Sequence, residues 1–178
     1  MNIKTFIATL VLGVSTIAPV HAQNNHDDHK RLWNTLQSIG ITTILNEPTQ
    51  CNDQVSGAYG SSAGILIVCQ DNSKSAYSVS EWTQNDYDTL RHEAHHVVQD
   101  CADNRIGDNN LVPLFSGEEL EEFVSNVLTD EQVDRIVKEY RSYGVSDDVV
   151  IAEIEAFAVA RSVSADAIAN KLIEFCSK

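Results

Sequence analysis

The sequence has few basic residues, no Cys-x-x-Cys pair and no long apolar run after residue 22. Its 12 Lys and Arg residues against 26 Asp and Glu residues give a net charge of −14. This charge argues against nucleic acid and anionic membranes as partners. The missing Cys-x-x-Cys spacing disfavours a cysteine-ligated zinc site. The lack of a further long apolar run argues against a membrane-spanning helix.

The first 22 residues have the pattern of a secretory signal peptide. Lys4 supplies a positive charge, residues 6–20 are mostly apolar, and Val20-His21-Ala22 offers a small-residue cleavage site. A membrane anchor is the alternative, but Gly, Ser, Thr and Pro residues interrupt the short apolar stretch. We therefore expect cleavage after Ala22, one domain over residues 23–178, and a secreted or periplasmic location.

The cysteines number 4, an even count that favours disulfides in an exported chain. They allow three pairings. We expect Cys51–Cys69, which closes a local Gly-rich segment, and Cys101–Cys176, which ties two helices together.

Apolar periodicity and turn residues predict an α+β, mostly helical single domain with a small N-terminal β-sheet. The active-site helix is expected to be followed by three helices, although the caps Ser116, Thr129, Ser146 and Ser164 mark helical stretches over 118–128, 130–142, 147–163 and 165–176. The segment 50–62 is Gly- and Ser-rich and is interpreted as a connection. The expected elements of the N-terminal half are a helix over 26–38, strands at 41–45, 63–69 and 76–79, and a helix from Thr83 or Asn85 to about Ala102.

The last of these helices carries the motif His-Glu-x-x-His, formed by His92, Glu93 and His96. Each helical residue advances about 100°, so the two histidines lie on one face. Two imidazoles placed in this way can bind one Zn²⁺ at about 2.0–2.1 Å. Glu93 lies beside them, where it can accept a proton from a water that the metal acidifies. A third protein ligand is still needed.

The best source of that ligand is the segment from Ala152 to Ala160, where Glu153 and Glu155 interrupt an apolar helix. An unpaired carboxylate is costly there, and a metal is one group that compensates it. The two carboxylates are about 200° apart around the helix, so only one can face the zinc. Both share their face with apolar residues, and periodicity does not decide between them.

These motifs resemble the gluzincin-type zinc metallopeptidases, zincins in which a glutamate on a later helix completes His-Glu-x-x-His. Several such families carry Glu-x-Glu-Ala, with the first Glu binding zinc, and residues 153–156 match it. Others carry Glu-x-Phe-Ala, which residues 155–158 match. The resemblance implies a zincin-like fold and a Zn²⁺ held by His92, His96 and Glu153, with Glu155 as second choice.

The resemblance has two further implications. Many of these families place an Asp after the Ala to support a zinc-bound histidine, but this chain has Phe157, so that contact must come from elsewhere. Substrates of zincins often add a strand to the edge of the sheet before the motif helix, and residues 63–68 are the expected edge here.

Several polar residues outside the motif have open roles. We expect His26 and His29 to be solvated, and His95 to face solvent rather than line the cleft. Gln99 and Asp100 either support the ligands or are plain surface residues. The roles of Tyr140 and Tyr143, as oxyanion stabilisers or as core residues, stay open.

The function predicted from these residues is that of a secreted, monomeric zinc metallopeptidase, which acts on a peptide or protein with Glu93 as the base. The alternative is a non-catalytic, disulfide-stapled domain that binds zinc or serves as an inhibitor or interaction module. Hydrolysis of a non-peptide amide is a third possibility, since the motif does not exclude it.

Overall fold

The computed structural model describes residues 26–52, 55–71, 73, 81–103 and 105–177, together with the backbone of residues 7–10. Within these ranges the protein is α+β and mostly helical, as the sequence predicted. The helices are α1 (His26–Ser38), α2 (Gln84–Cys101), α3 (Glu118–Ser125), α4 (Asp130–Ser142), α5 (Asp147–Ser162) and α6 (Ala165–Cys176). The strands are β1 (Ile7–Leu10), β2 (Thr42–Leu45), β3 (Val55–Gly60) and β4 (Ile65–Val68). None of the described helices is long and apolar enough to cross a bilayer.

Four described helices follow the motif helix α2, so the predicted number of three is wrong. The boundary between α3 and α4 lies at Thr129, the cap expected from the sequence. The Thr129 hydroxyl accepts the N–H of Gln132, and the Gln132 side chain accepts the N–H of Thr129. This reciprocal capping box begins a new helix where a continuous one would otherwise be possible.

The sheet is mixed and has the strand order β1-β3-β4-β2. β3 is antiparallel to both β1 and β4, whereas β2 and β4 are parallel. Because β4 is hydrogen-bonded on both sides, the prediction that residues 63–68 form an edge is wrong. β1 lies within the stretch interpreted as a signal peptide; the rest of that stretch, and the strand expected at 76–79, lie outside the described residues.

β3 occupies part of the segment 50–62 that was interpreted as a connection. Its small residues allow α2 to pack closely against the strand. A Cβ atom added to Gly57 would lie 2.5 Å from Cγ2 of Thr89, 2.8 Å from the carbonyl oxygen of Ile67 and 3.2 Å from Cγ of Glu93. The absence of a side chain at Gly57 therefore fixes the distance between β3 and the motif helix.

Two apolar clusters form the core, and α5 contributes to both. The larger lies among α1, α2, α6 and the sheet, and includes Leu36, Leu66, Val97, Val159 and Leu172. The smaller lies among α3, α4 and α5, and includes Val124, Ile136, Val150 and Phe157. Helix α5 thus packs apolar residues on two sides, and α2 lies against one of them.

Helix α2 is central to this arrangement. It begins with a capping box in which Thr83 and Asp86 bond each other's backbone N–H groups. Every residue from Thr89 to Cys101 is buried, because α2 packs against α1, α5, α6, β3 and β4. The polar residues of this helix must therefore find partners inside the protein.

Both predicted disulfides are confirmed. Cys51–Cys69 joins the segment after β2 to the end of β4, across 18 residues of sequence. Cys101–Cys176 joins the last residue of α2 to the last residue of α6, across 75 residues. The second bond holds the carboxyl end of the motif helix in place.

Removal of the disulfide that closes the longer loop should destabilise the protein more than removal of the disulfide that closes the shorter loop. From loop length, Cys101→Ser/Cys176→Ser should lower the free energy of unfolding by about 4.5 kcal/mol, and Cys51→Ser/Cys69→Ser by about 3 kcal/mol. Urea unfolding of both variants beside the native protein measures this order. An equal or reversed loss would show that loop-closure entropy does not govern what the two disulfides contribute to stability.

Gly57→Ala should destabilise the protein by about 1–3 kcal/mol, because the new methyl group overlaps the backbone of β4 and the side chain of Thr89. Combining it with Thr89→Ala removes one of these contacts and should recover part of the loss. Urea unfolding of the two single variants and the double variant tests this coupling. Purely additive losses would mean that Gly57 and Thr89 do not press on each other.

Candidate metal centre

The two motif histidines meet on one face of α2. The ring centroids of His92 and His96 are 4.7 Å apart, and their Nε2 atoms are separated by 3.0 Å. Both rings are buried, with 1% and 0% of their residue surface exposed. The helical spacing predicted this arrangement, and the burial follows from the central position of α2.

Glu153 reaches the histidine pair from α5. Its Oε2 atom lies 3.1 Å from Nε2 of His92 and 3.4 Å from Nε2 of His96. Among the described residues, His92, His96 and Glu153 form a group whose ligand atoms all lie within 4.8 Å of one another. The structure thus brings the first-choice glutamate, and not Glu155, to the two histidines.

The geometry of this group fits a zinc ion. Ligand atoms around a tetrahedral zinc with bonds of about 2.0–2.1 Å lie about 3.3 Å apart. The three separations observed here are 3.0, 3.1 and 3.4 Å. Oε2 of Glu153 faces the two histidine nitrogens, and its other oxygen, Oε1, is buried without a hydrogen-bond partner among the described residues.

The same three groups perturb one another's protonation. Burial lowers the pKa of His92 to about 4. Burial also disfavours the charged form of His96, but the carboxylates of Glu153 and Glu93 outweigh it and raise the pKa of His96 to about 9. Burial alone would raise the pKa of Glu153, whereas His96 and His92 lower it to about 2. With these pKa values, a proton on His96 balances the negative charge of Glu153. A bound cation could take the place of that proton.

Glu93 lies next to this group and is 0% exposed. Its carboxylate contributes to the raised pKa values of both His96 and Tyr140. Its Cγ atom faces the bare backbone of Gly57 on β3. Glu93 is therefore between the histidine pair and the sheet, outside the group of potential ligands but within its electrostatic reach.

Glu155 meets α2 at His95 and Gln99 and not at the two motif histidines. Its carboxylate accepts hydrogen bonds from His95 Nε2 at 2.7 Å and from the Gln99 amide at 3.1 Å. It also accepts the backbone N–H groups of Leu114 and Phe115, each at 3.0 Å. Burial would raise the pKa of Glu155, but His95 first, and then the N–H groups of Leu114 and Phe115, lower it. The second carboxylate thus joins α2, α5 and the segment before α3.

Gln99 supports one of the two motif histidines. Its Oε1 atom lies 2.8 Å from Nδ1 of His96. Phe157 packs its ring against His92, with centroids 4.5 Å apart, and Nδ1 of His92 has no hydrogen-bond partner among the described residues. Gln99 therefore gives the support to a motif histidine that an Asp in place of Phe157 would give. It hydrogen-bonds His96 and not His92.

The expectations for the other histidines need correction. His95 is 4% exposed and bonded to Glu155, so the prediction that it faces solvent is wrong. His29 is also buried rather than solvated, with Nε2 at 2.7 Å from Nη1 of Arg91. His26 is exposed, as predicted, and contacts the hydroxyl of Tyr87.

Arg91 is a residue that sequence reasoning missed. It is 1% exposed, and its Nε donates to the carbonyl oxygen of Ala160 at 2.7 Å, which links α2 to α5. The sequence carries no signal for this role, because it does not reveal that the positions beside Arg91 in α2 are buried. A charge at such a position needs internal partners.

The remaining polar residues near the site differ in how deeply they are buried. Asp100 accepts hydrogen bonds from the Tyr59 hydroxyl at 2.7 Å and from the Gly107 N–H at 2.8 Å, so it holds the sheet and a loop to α2. Tyr143 is 59% exposed. Tyr140 is buried, and its pKa is raised by burial first and then by the neighbouring Glu153. Of the two tyrosines, Tyr140 is the one beside the candidate metal centre.

The chain belongs to the family described as "Domain of unknown function (DUF8637)", which it matches over residues 14–176. The matched range includes α2 and α5, and hence all the residues of the candidate metal centre. No curated protein and no solved structure matches the chain. The chemistry of the site must therefore be argued from its own residues.

Proposed function

We propose that the protein is an exported zinc-dependent peptidase. The observation that carries this proposal is the convergence of His92, His96 and Glu153 from two helices, with the Glu93 carboxylate beside them. Three protein ligands with a nearby carboxylate are the usual composition of a hydrolytic zinc site. The two disulfides support an oxidising compartment, which agrees with the signal-peptide pattern.

A zinc ion held by these three residues would acidify a water molecule and polarise a carbonyl group. Glu93 accepts the proton of the attacking water and then donates it to the amine that leaves when the peptide bond breaks. Gly57 leaves room beside the Glu93 side chain, because any Cβ there would press on it. His92 and His96 keep their Nε2 atoms toward Glu153 and the common centre.

An extended peptide would reach this site along the outer edge of β3. That strand carries Gly57, which faces Glu93, and its outer edge pairs with residues 7–10 in the full chain. Cleavage after Ala22 would remove those residues and free the edge for a substrate strand. The substrate edge that we propose is thus β3 and not the central strand β4.

The burial of the site favours a second candidate function, that of a non-catalytic domain stabilised by its metal. His92, Glu93, His96 and Glu153 are exposed by 1%, 0%, 0% and 0%. A structural zinc is typically closed off from solvent in this way. The two candidates predict the same metal content but differ in what Glu93 does.

Glu93→Gln should keep the metal content of the native protein and lower the hydrolysis rate by about 10²–10⁴-fold. The amide has nearly the same shape as the carboxylate but cannot accept the proton. Zinc content is measured by elemental analysis, and hydrolysis by digestion of a mixed peptide library with and without chelator.

Two results would redirect the proposal. Full activity in Glu93→Gln would remove Glu93 from the mechanism. Zinc in the native protein without any chelator-sensitive hydrolysis would favour the non-catalytic domain. The Glu47→Gln variant, which changes a carboxylate distant in sequence and outside the site, controls for the loss of one negative charge.

His92→Ala should lose bound zinc, whereas His29→Ala should retain it. Both substitutions remove a buried imidazole, but only His92 lies in the potential ligand group. The matched pair therefore separates loss of a ligand from general loss of packing. The measurement is zinc per chain after dialysis, with circular dichroism to verify that each variant is folded. Equal zinc in the two variants would place the metal elsewhere.

A further inference from the structure

A chain of hydrogen bonds runs from the backbone before α3 to the candidate metal centre. Leu114 and Phe115 donate their N–H groups to the Glu155 carboxylate, and His95 donates to it as well. Glu155 in turn accepts from the side-chain amide of Gln99, whose oxygen faces His96. Each member except the backbone donors is buried.

The direction of this chain fixes the orientation of the Gln99 amide. Its Nε2 atom lies 3.0 Å from the carbonyl oxygen of Ala152 and 3.1 Å from Oε1 of Glu155. Both of these atoms can only accept, so the amide NH₂ must face them. The amide oxygen then faces Nδ1 of His96 at 2.8 Å, and an oxygen there requires Nδ1 to carry a hydrogen.

We infer that Gln99, held by Glu155, is a positioning residue that keeps the hydrogen of His96 on Nδ1 and turns Nε2 toward the metal. The inference rests on the metal centre that the proposed function contains. It gives the two glutamates of α5 separate tasks. Glu153 is a potential ligand, and Glu155 sets the orientation of a ligand through Gln99.

The position of Glu155 makes this support rigid. Its four donors come from α2 and from the segment before α3, so a rotation of the carboxylate would break bonds to several elements at once. Gln99 cannot rotate its amide without placing NH₂ against the Nδ1 hydrogen of His96. His92 has no comparable contact in the described part of the chain, where Phe157 packs beside it. His96 is therefore the preorganised member of the pair.

The test compares zinc affinity in Gln99→Met and in the native protein. Methionine has nearly the length of glutamine but neither accepts strongly nor donates. Its zinc dissociation constant, measured by competition with a chromogenic chelator, should rise by about 10–100-fold. Tyr59→Phe is the matched control. It removes a buried hydrogen bond to the next residue of α2, Asp100, and should change the zinc dissociation constant less than threefold.

A second readout does not need the metal. In metal-free native protein, NMR should show a slowly exchanging, downfield proton on Nδ1 of His96, assigned by its loss in His96→Asn. Gln99→Met should make that proton exchange rapidly, whereas the control variant Tyr59→Phe should preserve it. This readout serves whether or not the methionine variant binds zinc.

The outcomes separate the inference from the proposed function. A native protein without zinc affinity would defeat the proposed function, while the Nδ1 proton would still report on Gln99. The inference itself is overturned if native His96 shows no protected Nδ1 proton, or if Gln99→Met folds and leaves both that proton and the zinc affinity unchanged.

Discussion

Every polar side chain of α2 from Arg91 to Asp100 lies inside the protein, where an uncompensated charge costs several kcal/mol. Helix α5 meets most of this demand with two carboxylates that reach different residues of α2. Glu153 faces His92 and His96, and Glu155 faces His95 and Gln99. The register between α2 and α5 is therefore set by charge pairing as well as by apolar packing, since a shift of either helix would separate several buried polar groups from their partners at once.

The rest of the fold keeps α2 in that register. Its first turn is capped by Thr83, and its last residue is bonded to α6 through Cys101–Cys176. On the sheet side, the missing side chain of Gly57 lets β3 approach until it touches Thr89 and Glu93. Rotation of α2 about its axis would press these residues into the strand. The candidate metal centre draws its residues from two helices, so restraints on α2 also restrain the positions of His92 and His96 relative to Glu153.

The sequence predicted much of this arrangement and missed what depends on a helix being buried on all sides. Helix boundaries follow from caps and periodicity, and both disulfides were assigned correctly. Glu153 and Glu155 could not be separated, because α5 packs apolar residues on two sides and both positions look like core. His95 was expected in solvent because sequence reasoning cannot reveal that α2 is central. β3 was missed because Gly57 and its small neighbours have the composition of a loop. In the structure, these small residues allow α2 to pack closely against the strand.

The buried state of Glu93 bears on the choice between a catalytic and a purely structural centre. A structural zinc is commonly closed by four protein ligands, and the potential ligand group has three members within the described part of the chain. Glu93 lies outside that group, yet its carboxylate is held inside the protein next to a negatively charged Glu153. In the metal-free fold Glu93 favours a proton on His96, and it does not belong to the group of potential ligands. A buried carboxylate that shifts the pKa of a neighbouring histidine is typical of functional sites, and this is the physical ground for the proposed role of Glu93 in proton transfer.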